Sequence, residues 1–106
     1  MEAEAASLGM PGNRTAVVYA DDYLNKLTGE KIERECKKRI EEGCTELVVD
    51  LSQTEIVNSI GVSILLGVID TASNAGAKVV FSKVNEHTAE LFDMLGVNRH
   101  ATVMGA

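Results

Sequence analysis

The sequence predicts an α/β fold with a mostly parallel sheet, organised as a single domain. Two observations support this prediction. Short apolar runs rich in β-branched residues alternate along the chain with longer helical patterns, which is the arrangement of βαβ units. The helical patterns end at or near glycines, which commonly terminate helices. A chain of 106 residues is also long enough to bury one hydrophobic core without disulfides or metals.

The first part of the chain predicts a strand preceded by a short N-terminal segment. Residues 1–13 are expected to form either an edge strand or a tail, because Glu and Ala alternate there only weakly. The domain itself is expected over residues 14–106. Thr15–Ala20 is a β-branched and aromatic run, which predicts a strand, and Asp21 and Asp22 end it.

An amphipathic helix is predicted next, over Lys31–Glu42, with Asn25 or Thr28 as the candidate cap and Gly43 as its end. Charged residues separate its apolar positions, which are spaced four apart: Ile32, Cys36 and Ile40. The mixed charges between them are typical of a solvated helix face.

The central segment predicts a buried strand and a buried helix joined by a polar turn. Glu46–Leu51 is an apolar run with Asp50 near its end. Asp50 is either a metal ligand or general base, or it satisfies the hydrogen bonds of the following turn. Ile60–Ala72 is apolar almost all round, which predicts a helix packed in the core with only its first turn left for binding.

The last part of the chain predicts two strands around a third helix. The strands are Lys78–Ser82 and Ala101–Met104, and the helix is Glu86–Leu95, closed by Gly96. The i, i+3, i+4, i+7 pattern of a buried face runs through this helix at Thr88, Leu91, Phe92 and Leu95.

Composition and charge argue against several classes of function. The formal net charge of −6, the aromatic content of 4% and the absence of Trp argue against a nucleic-acid-binding surface. No apolar stretch approaches the roughly 20 residues of a membrane span. Neither a phosphate-binding glycine loop nor a nucleophile–base pair is visible, so we expect neither an enzyme nor a cofactor. An acidic surface suits a basic protein partner, or solubility alone.

Neither the cysteines nor the histidines predict a site. Cys36 and Cys44 lack the second ligand pair of a zinc site, and we expect both to be reduced thiols of a cytoplasmic protein. His87 and His100 are expected at the surface and not as ligands.

Ser59 lies where the apolar helix begins, and two interpretations of it stay open. Backbone N–H groups at a helix start are unpaired, and the helix dipole is positive there. The Ser59 hydroxyl therefore either caps the helix or accepts a phosphate, which the same groups would hold. Asn58 is either a cap or turn residue or a binding residue. Gly61 either lets a partner approach closely or is only tolerated near the helix start.

Several short motifs follow one another in a fixed order along the chain. They are Asp50-Leu51-Ser52, Asn58-Ser59-Ile60-Gly61-Val62, Leu65-Leu66-Gly67, Gly76-Ala77-Lys78-Val79-Val80 and Leu91-Phe92-Asp93-Met94-Leu95-Gly96-Val97. Together with Leu24, Asn25 and Thr28, this ordered set resembles the STAS domain of bacterial anti-sigma factor antagonists. The likeness covers roughly residues 15–104. It implies a small α/β domain with a four- or five-stranded sheet and three or more helices.

The resemblance also implies a regulatory binding protein without enzymatic activity. In that family the serine at the position of Ser59 is phosphorylated by an anti-sigma factor serine kinase, and a serine phosphatase removes the phosphate. The unphosphorylated form binds the kinase, which then releases the sigma factor. No nucleic acid, membrane, metal or cofactor is implied, and we expect a monomer or weak dimer. The implied partner-binding residues are Asn25, Asn58, Ser59, Ile60, Gly61 and Val62.

Two positions depart from the pattern of that family. Asp usually stands directly before the phosphorylated serine, where this chain has Asn58, and a second common Asp corresponds to Asn25. Both differences remove negative charge from the switch region, which either impairs recognition by the kinase or lowers repulsion against a phosphate. STAS domains also serve in stress-sensing and lipid-transport complexes. A subunit of such a complex, without a phosphorylation cycle, is therefore the alternative function.

Overall fold

A computed structural model describes residues 14–105, and the predicted edge strand or tail over residues 1–13 lies outside them. The described residues form six strands, three α-helices and one 3-10 helix. In chain order these are β1 (Thr15–Tyr19), β2 (Tyr23–Leu24), α1 (Lys26–Glu41), β3 (Glu46–Asp50), β4 (Ile56–Val57), α2 (Ser59–Asn74), β5 (Lys78–Val84), α3 (Glu86–Met94), the 3-10 helix (Val97–Arg99) and β6 (Thr102–Gly105). The predicted α/β class is confirmed.

Four of the strands form one parallel sheet in the order β1-β3-β5-β6. Every crossover therefore moves in the same direction, and right-handed crossovers of that kind place all the helices on one face of the sheet. The strand register aligns Val18, Val49 and Phe81, and all three belong to the core formed with the helices. Val17 points to the other face and is 44% exposed.

The third helix is held on the sheet by an aromatic pair. The rings of Phe81 and Phe92 meet edge to face with their centroids 5.3 Å apart. Phe92 and Thr88 are buried as predicted, but the prediction for Leu95 was wrong, because that side chain is 38% exposed. The reason is that α3 ends at Met94, so Leu95 has left the helical stripe and serves as its C-cap.

The first helix starts earlier than the hydrophobic pattern predicted, at Lys26 and not at Lys31. Both candidate caps take part in this start. The Thr28 N–H donates to Asn25 Oδ1 at 3.0 Å, and the Asn25 N–H donates to Thr28 Oγ1 at 2.9 Å, which makes a capping box. The apolar periodicity missed this turn because its one large apolar side chain, Leu27, is 75% exposed.

A second, two-stranded sheet was not predicted. In it β2 and β4 pair in parallel, with Tyr23 opposite Ile56 and Leu24 opposite Val57. Two residues per strand are too few to show a periodicity of two. The chain enters these strands from the carboxyl ends of β1 and β3, so the small sheet lies beside the start of α2 and positions the residues around Ser59.

Candidate partner-binding surface

The loop between β3 and α2 begins with a hydrogen-bonded turn at Asp50. The Asp50 carboxylate accepts a hydrogen bond from the Ser52 backbone N–H at 2.8 Å, and the Lys83 ammonium lies 3.7 Å from its other oxygen. Hydrogen bonds from Ser52, together with the charge of Lys83, hold the pKa of Asp50 below its usual value. Asp50 therefore accepts the hydrogen bond of a backbone N–H in the turn that follows β3. Within residues 14–105 no cluster of three or more His, Cys, Asp or Glu side chains could hold a metal ion.

Asn58 is the N-cap of α2. Its backbone is extended, and its Oδ1 accepts a hydrogen bond from the Gly61 N–H at 2.8 Å. Its own N–H donates to the Leu24 carbonyl at 2.9 Å, so the cap is also tied to β2. Of the two interpretations of Asn58, the structure shows the capping role, and a role in binding is compatible with its half-exposed side chain.

Ser59 is the first residue of α2, and it does not cap the helix because Asn58 occupies that position. Its side chain is exposed. In the described part of the chain, the backbone N–H groups of Ser59 and Ile60 have no hydrogen-bond acceptor. The positive end of the helix dipole therefore meets solvent at Ser59, which is the environment that stabilises a phosphate.

Gly61 is buried because the chain itself approaches it closely. A Cβ built at Gly61 would lie 2.8 Å from the Leu24 carbonyl oxygen and 2.9 Å from Leu24 Cγ. Only glycine leaves room for β2 to pack against the start of α2. Val62, next in the helix, is fully buried. Gly61 and Val62 therefore lie beneath the predicted surface, so a partner would contact the exposed side chains around them.

Four large apolar side chains are exposed on the small sheet and on the first turns of α1 and α2, the elements that meet at the start of α2. We call this set, together with Ser59, the Ser59 surface. Two of its apolar members, Tyr23 and Ile56, are directly paired across the small sheet, and the other two occupy the second position of α1 and of α2. Their exposed fractions are 42% for Tyr23, 75% for Leu27, 57% for Ile56 and 54% for Ile60. Exposed apolar side chains grouped in this way are typical of a protein-binding surface.

Three of these residues were missed by sequence reasoning: Tyr23, Leu27 and Ile56. Each stands in a polar stretch where no helical or strand periodicity is established. One signal available in the sequence is that each directly follows a charged residue and lies outside the predicted elements, where no core position is expected. Ile60 and Ser59 were identified, because they lie in the motif that begins α2.

Asn25, the remaining predicted residue, lies at the edge of the Ser59 surface. Its side chain is held in the capping box of α1 and is half-buried. The exposed acidic residues Asp22 and Glu55 lie beside it, joined by a hydrogen bond from the Glu55 N–H to the Asp22 carbonyl at 2.8 Å. The apolar side chains are thus flanked by negative charge.

The cysteines and histidines take no part in this surface. Cys36 and Cys44 are both free, and burial raises the pKa of the Cys36 thiol to about 12, so it is unreactive at neutral pH. His87 and His100 are exposed. Among the described residues, we find no helix that is both long and apolar enough to span a membrane.

Comparison with known protein families gives a match to the STAS domain over residues 11–104. A search of curated protein sequences finds no match. The family match includes the whole of the Ser59 surface and all the strands and helices up to β6.

Solved structures with the same architecture include a candidate anti-sigma factor antagonist from Thermotoga maritima. It has a TM-score of 0.76 and 13% identity, and the match covers 87% of this chain and 80% of that chain. The anti-sigma factor antagonist SpoIIAA from Bacillus matches in its unphosphorylated form with a TM-score of 0.72, 16% identity and coverage of 89% and 83%. Its phosphorylated form matches with a TM-score of 0.66, 16% identity and coverage of 89% and 86%.

A sulfate transporter family protein from Wolinella succinogenes has the same architecture. Its TM-score is 0.65 and its identity 10%, and the match covers 90% of this chain and 78% of that chain. At such low identities these likenesses show a shared fold. They do not by themselves distinguish between the functions of the matched proteins.

Proposed function

This chain belongs to the STAS domain family, and we propose that it is an anti-sigma factor antagonist switched by phosphorylation at Ser59. In its unphosphorylated form it binds an anti-sigma factor serine kinase in the cytoplasm through the Ser59 surface. The kinase phosphorylates Ser59, and a serine phosphatase restores the binding form. The protein itself has no catalytic role in this cycle, and it acts as a monomer or weak dimer.

The observation that supports the proposal most strongly is the position of Ser59. Its hydroxyl is exposed at the first position of α2, and the capping requirement of that helix is already met by Asn58. Ser59 is therefore not needed to start its helix, so its exposed hydroxyl is free to be modified. The family match and the fold shared with SpoIIAA, a protein known in phosphorylated and unphosphorylated forms, point the same way.

The surroundings of Ser59 suit a switch that acts on binding and leaves the fold intact. Ile60 and Leu27 expose apolar area that a partner can cover, and a phosphate on Ser59 would add about −1.5 to −2 charges within that area. Desolvating such a charge against the apolar side chains of a partner is unfavourable, so the complex would dissociate. Within the free protein, the helix dipole of α2 favours the same phosphate.

The phosphorylation step is tested by mass spectrometry after incubation with an ATP-binding anti-sigma factor kinase. We expect phosphate on Ser59 and none on Ser59→Ala. Ser63 is the matched internal control, because it is exposed one turn further along α2 but lies away from the helix start. Phosphate found only on Ser63, Ser52 or Thr54 would contradict the proposal.

The binding step is tested by calorimetric titration of the same kinase. We expect Ser59→Ala to bind as the unmodified protein does and Ser59→Asp to bind more weakly. Ser63→Asp adds the same charge one turn away and should leave the affinity nearly unchanged. Equal affinities for Ser59→Asp and Ser59→Ala would remove Ser59 from the interface.

A second candidate function is compatible with the fold that this chain shares with a sulfate transporter family protein. In this alternative the chain is a STAS subunit of a stress-sensing or lipid-transport complex and has no phosphorylation cycle. Co-purification from the native cell separates the two. A soluble kinase-like ATPase supports the antagonist, and a membrane transporter or a large stress-sensing assembly supports the alternative.

A further inference from the structure

A groove lies at the end of α2 away from the Ser59 surface. It consists of two adjoining cavities of about 260 and 350 Å³, which share Ile69, Ser73 and His100. The C-terminal half of α2 forms one wall, and residues 98–102, leading into β6, form the other. Because a helix rises 1.5 Å per residue, Ser73 lies about 20 Å along α2 from Ser59. The groove is thus separate from the proposed partner-binding surface.

The charged residues of the groove are not paired with one another. Lys78, Arg99 and His100 line the first cavity, and Asp70 lines the second together with His100. Within residues 14–105 the ion pairs of this protein involve other cationic side chains, those of Lys31, Lys37, Arg39 and Lys83. Among the side chains that line the groove, one Lys and one Arg against one Asp leave a single net positive charge with the imidazole counted as neutral, and Glu46 lies opposite Lys78 in the sheet.

A structural role for these cations would be to neutralise the carbonyl end of α2. That end is already satisfied by backbone groups. The Ala75 N–H donates to the carbonyls of Thr71 and Ala72, the Gly76 N–H donates to Ser73, and the Ala77 N–H donates to Ala72 at 2.8 Å. The helix end therefore does not require Arg99 or His100, whose side chains remain available to a ligand.

We propose that this groove binds a small organic acid, in the form of a carboxylate on a compact apolar body. The planar guanidinium of Arg99 matches a carboxylate in bidentate geometry, and the single net positive charge matches one negative charge better than two. Ile69 and Val79 lie at the bottom of the groove with little exposed area, and the half-buried Leu66 adds an apolar wall to the second cavity. The second cavity, at about 350 Å³, is large enough for a small molecule.

The test is a titration of the ¹⁵N-labelled full chain with benzoate, followed by NMR. We expect saturable shifts of the amides of Ser73, Arg99 and His100, with the amides of Ser59 and Ile60 unmoved. Inorganic phosphate is the second probe, because it carries charge without an apolar body, and it should bind at least about tenfold more weakly. Non-saturable shifts, shifts confined to the Ser59 surface, or equal affinity for the two probes would overturn the proposal.

Substitutions in the groove provide the second readout. Arg99→Gln should weaken benzoate binding by about tenfold or more, since it removes a charge-assisted hydrogen bond. Asp70→Asn should strengthen binding, because it removes a like charge. Arg34→Gln is the matched control on the exposed face of α1 and should have no effect. Unchanged affinity in Arg99→Gln, with the spectrum otherwise native, would overturn the proposal and leave the phosphorylation of Ser59 untouched.

Discussion

The first turns of α1 and α2 are capped in the same way, but their third helical residues give the two caps different partners. Both helices are capped by asparagine, and Asn25 and Asn58 each accept a hydrogen bond from the N–H of the third helical residue, at 3.0 and 2.8 Å. In α1 that third residue is Thr28, whose hydroxyl accepts from the Asn25 N–H and donates to the Tyr23 carbonyl. In α2 it is Gly61, which has no side chain to return the hydrogen bond.

The difference determines what each helix start is free to do. At the start of α1 the Thr28 hydroxyl accepts from the Asn25 N–H, so the N–H of the cap residue is satisfied within the helix start itself. At the start of α2 the Asn58 N–H donates to the carbonyl of Leu24 in β2. Because Gly61 has no side chain, β2 packs closely against the helix. The start of α2 is therefore held by tertiary contacts as well as by its cap, and within the described residues the Ser59 side chain makes no hydrogen bond. Both helix starts contribute to stability, and only that of α2 carries the serine that the proposed function requires.

The largest expected effect is at Gly61. Gly61→Ala places a methyl group 2.8 Å from a backbone carbonyl that cannot rotate away, so we expect a loss of about 1–3 kcal/mol in the free energy of unfolding. For a domain of this size each kcal/mol lowers the melting temperature by about 4–8 °C. Differential scanning calorimetry measures both.

The matched control for Gly61 lies in the same helix. Gly67 is exposed, and a Cβ there would meet nothing within 4 Å. Gly67→Ala should therefore stabilise the protein by about 0.5–1 kcal/mol, because alanine is the better helix former. If both variants shift the melting temperature in the same direction, the close approach of β2 to α2 is not what requires Gly61.

The next largest effect on stability concerns the capping box of α1. Thr28→Val removes the hydroxyl that accepts from the Asn25 N–H at 2.9 Å and donates to the Tyr23 carbonyl at 2.6 Å. We expect a loss of about 1–2 kcal/mol in urea unfolding. Thr71→Val in α2 is the control, since its hydroxyl only bonds back to the Gly67 carbonyl of its own helix, and it should cost less than about 0.5 kcal/mol. Equal losses would mean that the capping box adds nothing.

The first residue of each helix provides a smaller comparison, based on charge. Lys26 places a positive charge at the positive end of α1, and Ser59 is neutral in the same position of α2. We expect Lys26→Gln and Ser59→Asp each to raise the free energy of unfolding by about 0.3–1 kcal/mol at low salt, and both gains to shrink as salt screens them. A destabilised Ser59→Asp would contradict the claim that the switch leaves the fold intact.

The substitution at Asn58 is expected to change stability least. It has a separate expected effect on the rate at which Ser59 is phosphorylated. Asn58→Asp is nearly isosteric and keeps the oxygen that caps Gly61, so stability should hold or rise slightly. If Asn58 is a weakened form of the Asp common in the family, this variant should be phosphorylated faster at Ser59 in a radiolabel time course. Asn25→Asp adds the same charge to the cap of α1 and serves as the comparison. Equal rates in all three proteins would make Asn58 a cap alone.

Local patterns were sufficient to predict most of the fold. The β-branched runs that became β1, β3 and β5 and the apolar segment that became α2 are visible in single windows of sequence, because burial imposes a periodicity on neighbouring residues. The same holds for Ser59, whose place at the start of a helix follows from the transition between a polar turn and an apolar helix. The family motifs run through these same windows, which is why the STAS fold could be predicted before the structure was known.

The tertiary structure alone decided which residues surround Ser59. Tyr23 and Ile56 are 33 residues apart and meet only because β2 and β4 pair beside the start of α2. The glycine at position 61 was ambiguous in the sequence, and its necessity became clear only from the Leu24 carbonyl above it. Likewise, the cap of α2 could be assigned to Asn58 and not to Ser59 only from the direction of its side chain. Periodicity reports how a residue relates to its neighbours in sequence, whereas a binding surface depends on contacts between segments that are distant in the chain.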